Sequence, residues 1–391
     1  MPDKRQLEEA FHLEPLPKRL ACSSAVTGTV MSDERIFATL KHPRLENGGS
    51  SPFTTSPPFQ QPAPICSFSF DEHRKQHQDD RSKRFYTRPP PYNNPHPHLT
   101  RAQPVFGADL NYGLERFTQR DDSLPEHLDA LVAALQHRTE NATGSEAEKD
   151  ELDRERRRAD VVTWRGIITK ICSAYEQNAK AKFHDSIELN AMMLDNTLYL
   201  EEYTSAEAKA QKANKEANPK MKRMGYYGYC FESYCTVDTP AQVNQPFCAI
   251  NPRTDSGTGL VRHPVGWSGD VNTNVQWCQV VKTKLGENRL VIGGEVDAVE
   301  YNPITGKQEM VELKTSMQMT RFQRGKFGKA MADQERFEKK LLKFFLQSYL
   351  LGVGKIVVGF RDDYEYIKTL INNSNGVERA TSATQSNALG N

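Results

Sequence analysis

The chain has 391 residues, and its 51 lysines and arginines nearly balance its 50 aspartates and glutamates. A net charge of +1 excludes a global basic field that attracts nucleic acid, so any polyanion binding must come from a local patch. No apolar run approaches the roughly 18 residues needed to cross a bilayer, so we expect no membrane partner. Seven cysteines without a Cys-x-x-Cys pair indicate reduced thiols in a cytosolic or nuclear protein.

The composition predicts one domain with a tail at each end. Residues 1–62 mix Ser, Thr, Pro and Gly without hydrophobic periodicity, which predicts disorder. Residues 63–371 predict a single α/β (α+β) domain, in which helices flank a mixed β-sheet core. Residues 372–391 are again of low complexity and predict a second tail.

Within this domain, local patterns predict helices and strands in a mixed order. Ser123 and Glu126 have the spacing of a capping box at the start of a helix. The apolar face of that helix is predicted to carry Leu124, Leu128, Leu131, Val132 and Leu135. Runs of β-branched and aromatic residues predict strands at 161–172, 187–203, 277–281, 289–301, 308–316 and 355–360. Further helices are predicted at 205–222 and 332–351, with a long loop at 238–275.

Two of the predicted strands form a hairpin that carries an unusual set of charges. Pro303 and Gly306 mark the turn. With a loop at 303–306, residue 302 pairs with residue 307, and the two residue numbers of every antiparallel pair add up to 609. This register predicts that Asp297 faces Glu312 and that Glu295 faces Lys314, all on one face of the hairpin.

Like charges placed opposite each other destabilise a sheet, so this patch predicts a bound cation. Carboxylate oxygens are the ligands that Mg²⁺ prefers, and a nearby lysine can hold water or a phosphate oxygen. The alternative is that the residues are ordinary charges on an exposed strand face. The facing register of the two acidic strands favours the metal site.

Two polar residues elsewhere could complete the site. Glu232 lies within an aromatic run, where an unpaired carboxylate is costly to bury, so we consider it a fourth ligand or a solvent-exposed acid. Gln347 shares a helical face with apolar residues. Its side chain either orients a nucleophilic water or lies in the core with its hydrogen bonds made to the backbone. Residues 318–343 carry a basic excess that suits a phosphate backbone, or else form a solvated helix start.

These residues resemble a known family. The spacing of Asp and Glu-x-Lys is similar to that of PD-(D/E)xK nucleases. Five co-linear motifs further resemble the eukaryotic RNA decapping and 5′-end quality-control nucleases (DXO-like), and two N-terminal segments resemble their fungal nuclear branch. The five motifs are Trp164–Lys170, Gly228–Glu232, Gly293–Asp297, Glu312–Thr315 and Lys343–Ser348.

The resemblance implies two divalent cations, Mg²⁺ or Mn²⁺. The implied metal ligands are Glu232, Glu295, Asp297, Glu312 and Leu313. Lys314 and Gln347 are implied as catalytic residues, and the implied substrate-binding residues are Arg165, Glu232, Lys314 and Gln347. The family usually continues after Val-Gly-Phe-Arg with another strand and helix, whereas residues 362–391 here turn polar, which leaves an incomplete sheet edge possible.

The implied activity is that of a metal-dependent hydrolase in the nucleus. It would remove pyrophosphate from 5′-triphosphate RNA and hydrolyse incomplete or non-standard caps, including NAD caps. It would also stabilise or activate a nuclear 5′→3′ exoribonuclease. The alternative is a mainly non-catalytic subunit that binds and stabilises that exoribonuclease.

Overall fold

The computed structural model of the chain describes residues 58–89, 108–121, 123–124, 126–142, 158–178, 187–243, 254–255, 259–260, 263–264, 266–302, 306–320, 325–363 and 366–373. The chain divides after Pro57, and every described residue belongs to the unit that begins at Pro58. Residues 1–57 and 374–391 lie outside the described residues, so the domain boundaries at 62 and 371 remain predictions.

The described residues form strands and helices in a mixed order. The strands are β1 (Ala63–Phe70), β2 (Gln76–His77), β3 (Phe85–Tyr86), β4 (Val161–Trp164), β5 (Leu189–Leu194), β6 (Thr197–Glu202), β7 (Thr236–Val237), β8 (Thr254–Asp255), β9 (Gly259–Leu260), β10 (Gln276–Leu285), β11 (Asn288–Glu295), β12 (Ala298–Tyr301), β13 (Gln308–Met317), β14 (Lys355–Arg361) and β15 (Ile367–Asn373). The α-helices are α1 (Asp129–Glu140), α2 (Arg165–Asn178), α3 (Ala206–Glu216), α4 (Pro219–Cys235) and α5 (Phe327–Tyr349). None of the described helices is long and apolar enough to span a bilayer.

The strands build two mixed sheets and one small ribbon. Sheet A has the order β2-β1-β10-β11-β4-β6-β5, with β4 parallel to both of its neighbours. Sheet B has the order β15-β14-β13-β12-β3-β7, with β13 parallel to β14 and β12 parallel to β3. The strands β8 and β9 pair with each other. The predicted mixed α/β fold is confirmed.

Helices cover the sheets through apolar faces that exclude water from the core. Helix α1 packs on sheet A, where Leu131 and Leu135 join Phe68 and Val280 in one buried cluster. Helix α4 packs on sheet B, where Phe231 joins Leu313 and Val357 in another. Helix α4 starts sharply because Asn218 Oδ1 accepts a hydrogen bond from the Lys220 N–H at 3.0 Å, with Pro219 in the first turn.

Local element predictions are wrong near the starts of α1 and α2. The strand predicted at 161–172 ends at Trp164, and helix α2 begins at Arg165. The capping box does not form, because the Ser123 hydroxyl donates to Asp121 Oδ1 at 2.6 Å and α1 begins at Asp129. Leu124 is accordingly 69% exposed rather than part of the apolar face.

The regions predicted to be irregular contain more structure than expected. The 238–275 segment holds a short 3-10 helix (Pro240–Gln242) and the β8–β9 ribbon, and it buries Trp267 and Val271 in the core beside α4. Strand β15 extends sheet B beyond β14, so the sheet does not end at the Val-Gly-Phe-Arg segment. Whether the sheet edge is complete beyond β15 stays a prediction.

Candidate active site where the two sheets meet

The predicted hairpin is split between the two sheets. The register is as predicted where β12 pairs with β13, from Ala298 opposite Val311 to Tyr301 opposite Gln308. The single strand predicted at 289–301 is wrong, because Val296 and Asp297 separate β11 in sheet A from β12 in sheet B. Glu295 therefore pairs with Cys278 of β10 and does not face Lys314 in a ladder.

The break in the strand frees the Asp297 side chain to bond with the neighbouring backbone. Asp297 Oδ2 accepts a hydrogen bond from the Leu313 N–H at 2.7 Å. The Leu313 side chain is 2% exposed within the apolar core, so the predicted role of Leu313 as a metal ligand would fall to its main-chain carbonyl and stays a prediction.

Two cations hold Glu312, which is only 1% exposed. Lys314 Nζ lies 2.5 Å from Glu312 Oε1 and 3.6 Å from Asp297 Oδ2, so it sits between these two carboxylates. On the other side, Arg165 Nη1 lies 3.5 Å from Glu312 Oε2 and donates to the Gln347 main-chain oxygen at 3.1 Å. Arg165 thereby joins β13 to α5 at the start of α2.

Glu232 and Glu295 complete a group of acids that we call the carboxylate cluster: Glu232, Glu295, Asp297 and Glu312. Helix α4 supplies Glu232, which lines a cleft of about 200 Å³ together with Glu295 and Asp297. Glu295 Oε2 accepts a hydrogen bond from Gln276 Nε2 at 2.8 Å. The structure thus brings together the four acids that the sequence predicted.

Burial and mutual repulsion raise the pKa of three of these acids. Burial, followed by the charge of Asp297, raises the pKa of Glu295 to about 7. Burial, followed by the charge of Glu312, raises the pKa of Asp297 to about 6. Burial and the charges of Asp297 and Glu295 also raise the pKa of Glu232 well above its usual value.

Glu312 and Lys314 are shifted toward their charged forms. Burial raises the pKa of Glu312, but the Lys314 and Arg165 cations outweigh it and bring the pKa below its usual value. Burial lowers the pKa of Lys314, but Asp297 and Glu312 outweigh it and raise the pKa. In the absence of a bound cation, Lys314 is therefore protonated at neutral pH and able to donate hydrogen bonds.

The donor chemistry of the cluster suits a hard divalent cation, although the side chains are not arranged as a closed cage. Among the described residues, no group of three or more His, Cys, Asp or Glu side chains has the geometry of a metal site. Lys314 occupies the space between two of the acids. Burial, followed by repulsion from neighbouring carboxylates, raises the pKa values of Glu232, Glu295 and Asp297, and a bound cation would relieve that repulsion. Oxygen-rich anionic sites of this kind bind Mg²⁺ or Mn²⁺.

Comparison with known proteins decides the family. A family model described as RAI1 like PD-(D/E)XK nuclease matches residues 60–374. The chain belongs to this family. It is 68% identical over 370 residues to the decapping nuclease RAI1 of Mycosarcoma maydis, an alignment that covers 94% of this chain and 71% of the relative. The prediction of a nuclease-class enzyme is confirmed.

Solved structures of RAI1 relatives share the fold. Rai1 of Scheffersomyces stipitis, in complex with (3′-NADP)⁺ and calcium ion, aligns with a TM-score of 0.59 at 24% identity, over 82% of this chain and 76% of that one. Rai1 of Candida albicans, in complex with pU5-Mn²⁺, aligns with a TM-score of 0.58 at 23% identity, over 82% and 73%. The predicted PD-(D/E)xK nuclease-like fold is confirmed.

The glycine pair of the third motif gives the RAI1-like site its close packing. A Cβ on Gly294 would lie 2.9 Å from Leu351 Cδ1 and 3.0 Å from Arg165 Cβ. A Cβ on Gly293 would lie 2.9 Å from the Trp164 ring. The two glycines therefore allow the junction of β4 and α2, with Arg165, to approach the end of β11.

The remaining predicted residues are Gln347 and the basic segment at 318–343. Gln347 lies on α5 and contributes its main-chain oxygen to Arg165, so the proposed role of its side chain stays a prediction. In the basic segment, residues 321–324 lie outside the described residues. Arg336 pairs with Asp333 and Lys339 with Glu335, and these pairs leave the predicted net positive excess of the segment unchanged.

Sequence reasoning missed Gln276, which binds Glu295 directly. Gln276 is the first residue of β10, and no charge or turn signal distinguishes it from any other polar residue at a strand end. It also missed Arg74, whose Nη1 donates to Gln276 Oε1 from a turn about 200 residues earlier.

Proposed function

We propose that this chain is a divalent-metal-dependent hydrolase of RNA 5′ ends. It would remove pyrophosphate from 5′-triphosphate RNA and hydrolyse incomplete or non-standard caps, including NAD caps. The observation that carries the proposal is the convergence of four carboxylates from α4, β11, β13 and the β11–β12 junction around Lys314. Anionic oxygen ligands beside a fixed cation are what metal-assisted phosphoryl chemistry requires.

The relatives support the substrate class. The M. maydis relative is named a decapping nuclease, and this chain is 68% identical to it. The C. albicans relative was crystallised with pU5 and Mn²⁺, which are an RNA oligonucleotide and a divalent cation. The S. stipitis relative was crystallised with (3′-NADP)⁺ and calcium, a dinucleotide of the kind found at an NAD-capped end.

The residues fit distinct roles in binding the ion. Glu232, Glu295, Asp297 and Glu312, with the main-chain carbonyl of Leu313, would hold one or two divalent cations. When bound, such a cation would act as a Lewis acid toward a phosphoryl oxygen and favour ionisation of the attacking water. Mg²⁺ and Mn²⁺ both accept this donor set.

The cationic residues would act on the substrate. Lys314 is protonated and would donate hydrogen bonds to the attacking water or to a phosphate oxygen. Arg165 now holds Glu312 and α5, and its remaining guanidinium donors would contact substrate phosphates. The Gln347 side chain, on the helix that Arg165 anchors, would orient the water.

The cellular setting is proposed from the family resemblance. The chain would act in the nucleus and would bind a 5′→3′ exoribonuclease, which would degrade the RNA after pyrophosphate or the cap has been removed from the 5′ end. The alternative is that stabilising this exoribonuclease is the main task. Retention of all four carboxylates with Lys314 favours catalysis, because a purely binding subunit has no need for this charge cluster.

The decisive experiment compares Glu295→Ala/Asp297→Ala with the unaltered chain on 5′-triphosphate RNA and on NAD-capped RNA, with Mg²⁺ or Mn²⁺. We expect the double variant to lose at least about 100-fold in product release, since it removes two metal ligands. Glu300→Ala/Glu309→Ala is the matched control, because these acids face each other at the far end of the same hairpin.

Two outcomes count against the proposal. Equal release of pyrophosphate or cap by the unaltered chain and by Glu295→Ala/Asp297→Ala would exclude this active site. Release by neither protein, with the unaltered chain still stimulating a partner exoribonuclease, would favour the binding subunit.

A further inference from the structure

A short relay of hydrogen bonds reaches the carboxylate cluster from outside. Gln276 Nε2 donates to Glu295 Oε2 at 2.8 Å, and Arg74 Nη1 donates to Gln276 Oε1. Neither Gln276 nor Arg74 belongs to the acids, cations or motifs that define the site. Gln276 lines the cleft in which the cluster lies, whereas Arg74 does not.

The relay determines which way the Gln276 amide points. An amide has one accepting end and one donating end, and the two look alike in shape. Because Arg74 can only donate, it requires the Gln276 oxygen on its own side and turns the NH₂ toward Glu295. The reverse orientation would place NH₂ against the guanidinium and oxygen against the carboxylate, with both contacts repulsive.

Arg74 is itself held in one position. Its backbone has φ 61°, and its N–H donates to the Asp71 main-chain oxygen at 3.0 Å. The guanidinium stacks 3.8 Å above the centre of the Phe70 ring and donates to the Asn274 oxygen at 3.2 Å. Its second terminal nitrogen pairs with Glu126 at 2.7 Å. The relay therefore begins at a rigid point.

The consequence for Glu295 is a carboxylate with one oxygen occupied and its rotation restricted. Gln276 engages Oε2 with a neutral donor, so it orients the carboxylate without adding a positive charge that would repel a cation. Lys314 and Arg165 form their ion pairs with Glu312 and not with Glu295. Neutral hydrogen-bond partners that orient metal ligands commonly change metal affinity by about 10- to 100-fold.

We propose that Gln276 is a positioning residue that orients Glu295 toward a divalent cation and that Arg74 fixes the polarity of Gln276. This inference rests on the proposed metal-dependent function. It assigns to Gln276 and Arg74 an effect on metal affinity that passes through Glu295.

The test measures binding of Mn²⁺ alone to the full chain, by calorimetry and by electron paramagnetic resonance of the bound ion. We expect Gln276→Ala to weaken Mn²⁺ binding by about 10- to 100-fold. Arg74→Met should also weaken Mn²⁺ binding, but by less than Gln276→Ala, because loss of the Arg74 charge near Glu295 favours the ion. Arg74→Lys keeps a cationic donor and should retain most of the affinity. The double variant Arg74→Met/Gln276→Ala should bind no more than about twofold more weakly than Gln276→Ala, because both changes break one pathway.

Gln279→Ala is the matched control. Gln279 lies three residues along the same strand and is buried, but its amide donates to the Cys66 main-chain oxygen at 2.6 Å and not to the cluster. Its loss should lower stability while Mn²⁺ affinity stays unchanged. A general loosening of β10 would instead weaken Mn²⁺ binding in Gln279→Ala and Gln276→Ala alike.

The results separate this inference from the proposed function. If the unaltered chain binds Mn²⁺ and Gln276→Ala binds it equally well, the relay is refuted and the metal site stands. The relay is also refuted if the losses of Mn²⁺ affinity in the two single variants multiply in Arg74→Met/Gln276→Ala. A loss of Mn²⁺ affinity in Gln279→Ala equal to that in Gln276→Ala refutes it as well. If the unaltered chain does not bind Mn²⁺, the metal site fails and the relay fails with it.

Discussion

Lys314 is the residue on which the electrostatics of the site depend. It lies between Glu312 and Asp297, and Glu312 is almost completely buried. A buried carboxylate without a partner is costly, so Lys314 stabilises the cluster in the absence of metal. The same position makes it the cation nearest to any phosphate that approaches the two acids.

A Lys314→Met variant tests whether this cation serves catalysis or only stability. We expect hydrolysis of 5′-triphosphate RNA to fall by at least about 100-fold, because a charged donor to the reacting groups is lost. We expect Mn²⁺ affinity to stay the same or increase, since removal of a cation makes the cluster more negative. Single-turnover rates and Mn²⁺ titrations check the two parts.

Lys355→Met is the control for that experiment. Lys355 is also a poorly exposed lysine on sheet B. It lies opposite Val311 in the ladder, and its Nζ pairs with Glu300 at 2.5 Å instead of with the carboxylate cluster. Its variant should lose stability and keep its rate per folded molecule. A parallel fall of rate and Mn²⁺ affinity in Lys314→Met would mean that Lys314 merely holds the ligands in place.

At the level of single residues, charge and strand periodicity carried most of the prediction. Glu312 and Lys314 share a strand face because strand side chains alternate, and the predicted turn at 303–306 implied the observed register between 298–301 and 308–311. Gln276 could not be found in this way. Its role comes from a neutral hydrogen bond to Glu295, and neutral residues at strand ends have no distinguishing pattern.

At the level of elements, tertiary packing overrode local preference at α2. The run from Val161 to Cys172 is rich in β-branched residues and predicts a strand, yet the chain turns helical at Arg165. The helix buries Ile167 against the core and lets Arg165 reach Glu312. Gly294 permits this approach, because any side chain there would meet Arg165 Cβ.

A Gly294→Ala variant tests that packing. The added methyl would lie 3.0 Å from Arg165 Cβ, which cannot move without the start of α2. We expect the free energy of unfolding to fall by about 1–3 kcal/mol, and the rate of RNA 5′-end hydrolysis to fall because Arg165 and Glu312 are displaced. Denaturant unfolding and steady-state rates measure the two effects.

Gly225→Ala is the comparison for this substitution. Gly225 lies in α4, and a Cβ there meets no atom within 4 Å, so alanine should be neutral or stabilising in the helix. If Gly294→Ala were as stable and as active as Gly225→Ala, the proposed close approach of α2 to β11 would be wrong.

The division of the hairpin between two sheets could not be predicted from its sequence. Residues 289–301 form an uninterrupted strand-like run, with no proline or turn dipeptide at Val296 and Asp297. The change of sheet is imposed by pairing, because Glu295 is held by β10 and Ala298 by β13. Such partners are distant in sequence, and local patterns do not report them.

At the scale of the whole molecule, the acids stand where the two sheets meet, so their charge state is linked to the stability of the fold. Glu295 and Asp297 have pKa values of about 7 and about 6, above their ordinary values. A carboxyl whose pKa is raised by folding favours the folded state most at low pH. That contribution is lost as pH rises through 6 to 7, because ionised acids must then be kept close together.

This linkage predicts a pH dependence that a divalent cation reverses. Without metal, we expect the melting temperature to fall by several degrees between pH 5 and pH 8, since Glu295 and Asp297 ionise in that range. Mg²⁺ or Mn²⁺ should raise the melting temperature little at pH 5 and strongly at pH 8, because the ion binds the ionised carboxylates and competes with protons. Glu295→Gln/Asp297→Asn should make both profiles shallower, since neither amide titrates, and should leave only the contribution of Glu232 from the three acids with raised pKa values. Thermal melts across this range, with and without the ion, decide the matter: an equal stabilisation by metal at pH 5 and pH 8 would mean that these two acids are not its ligands.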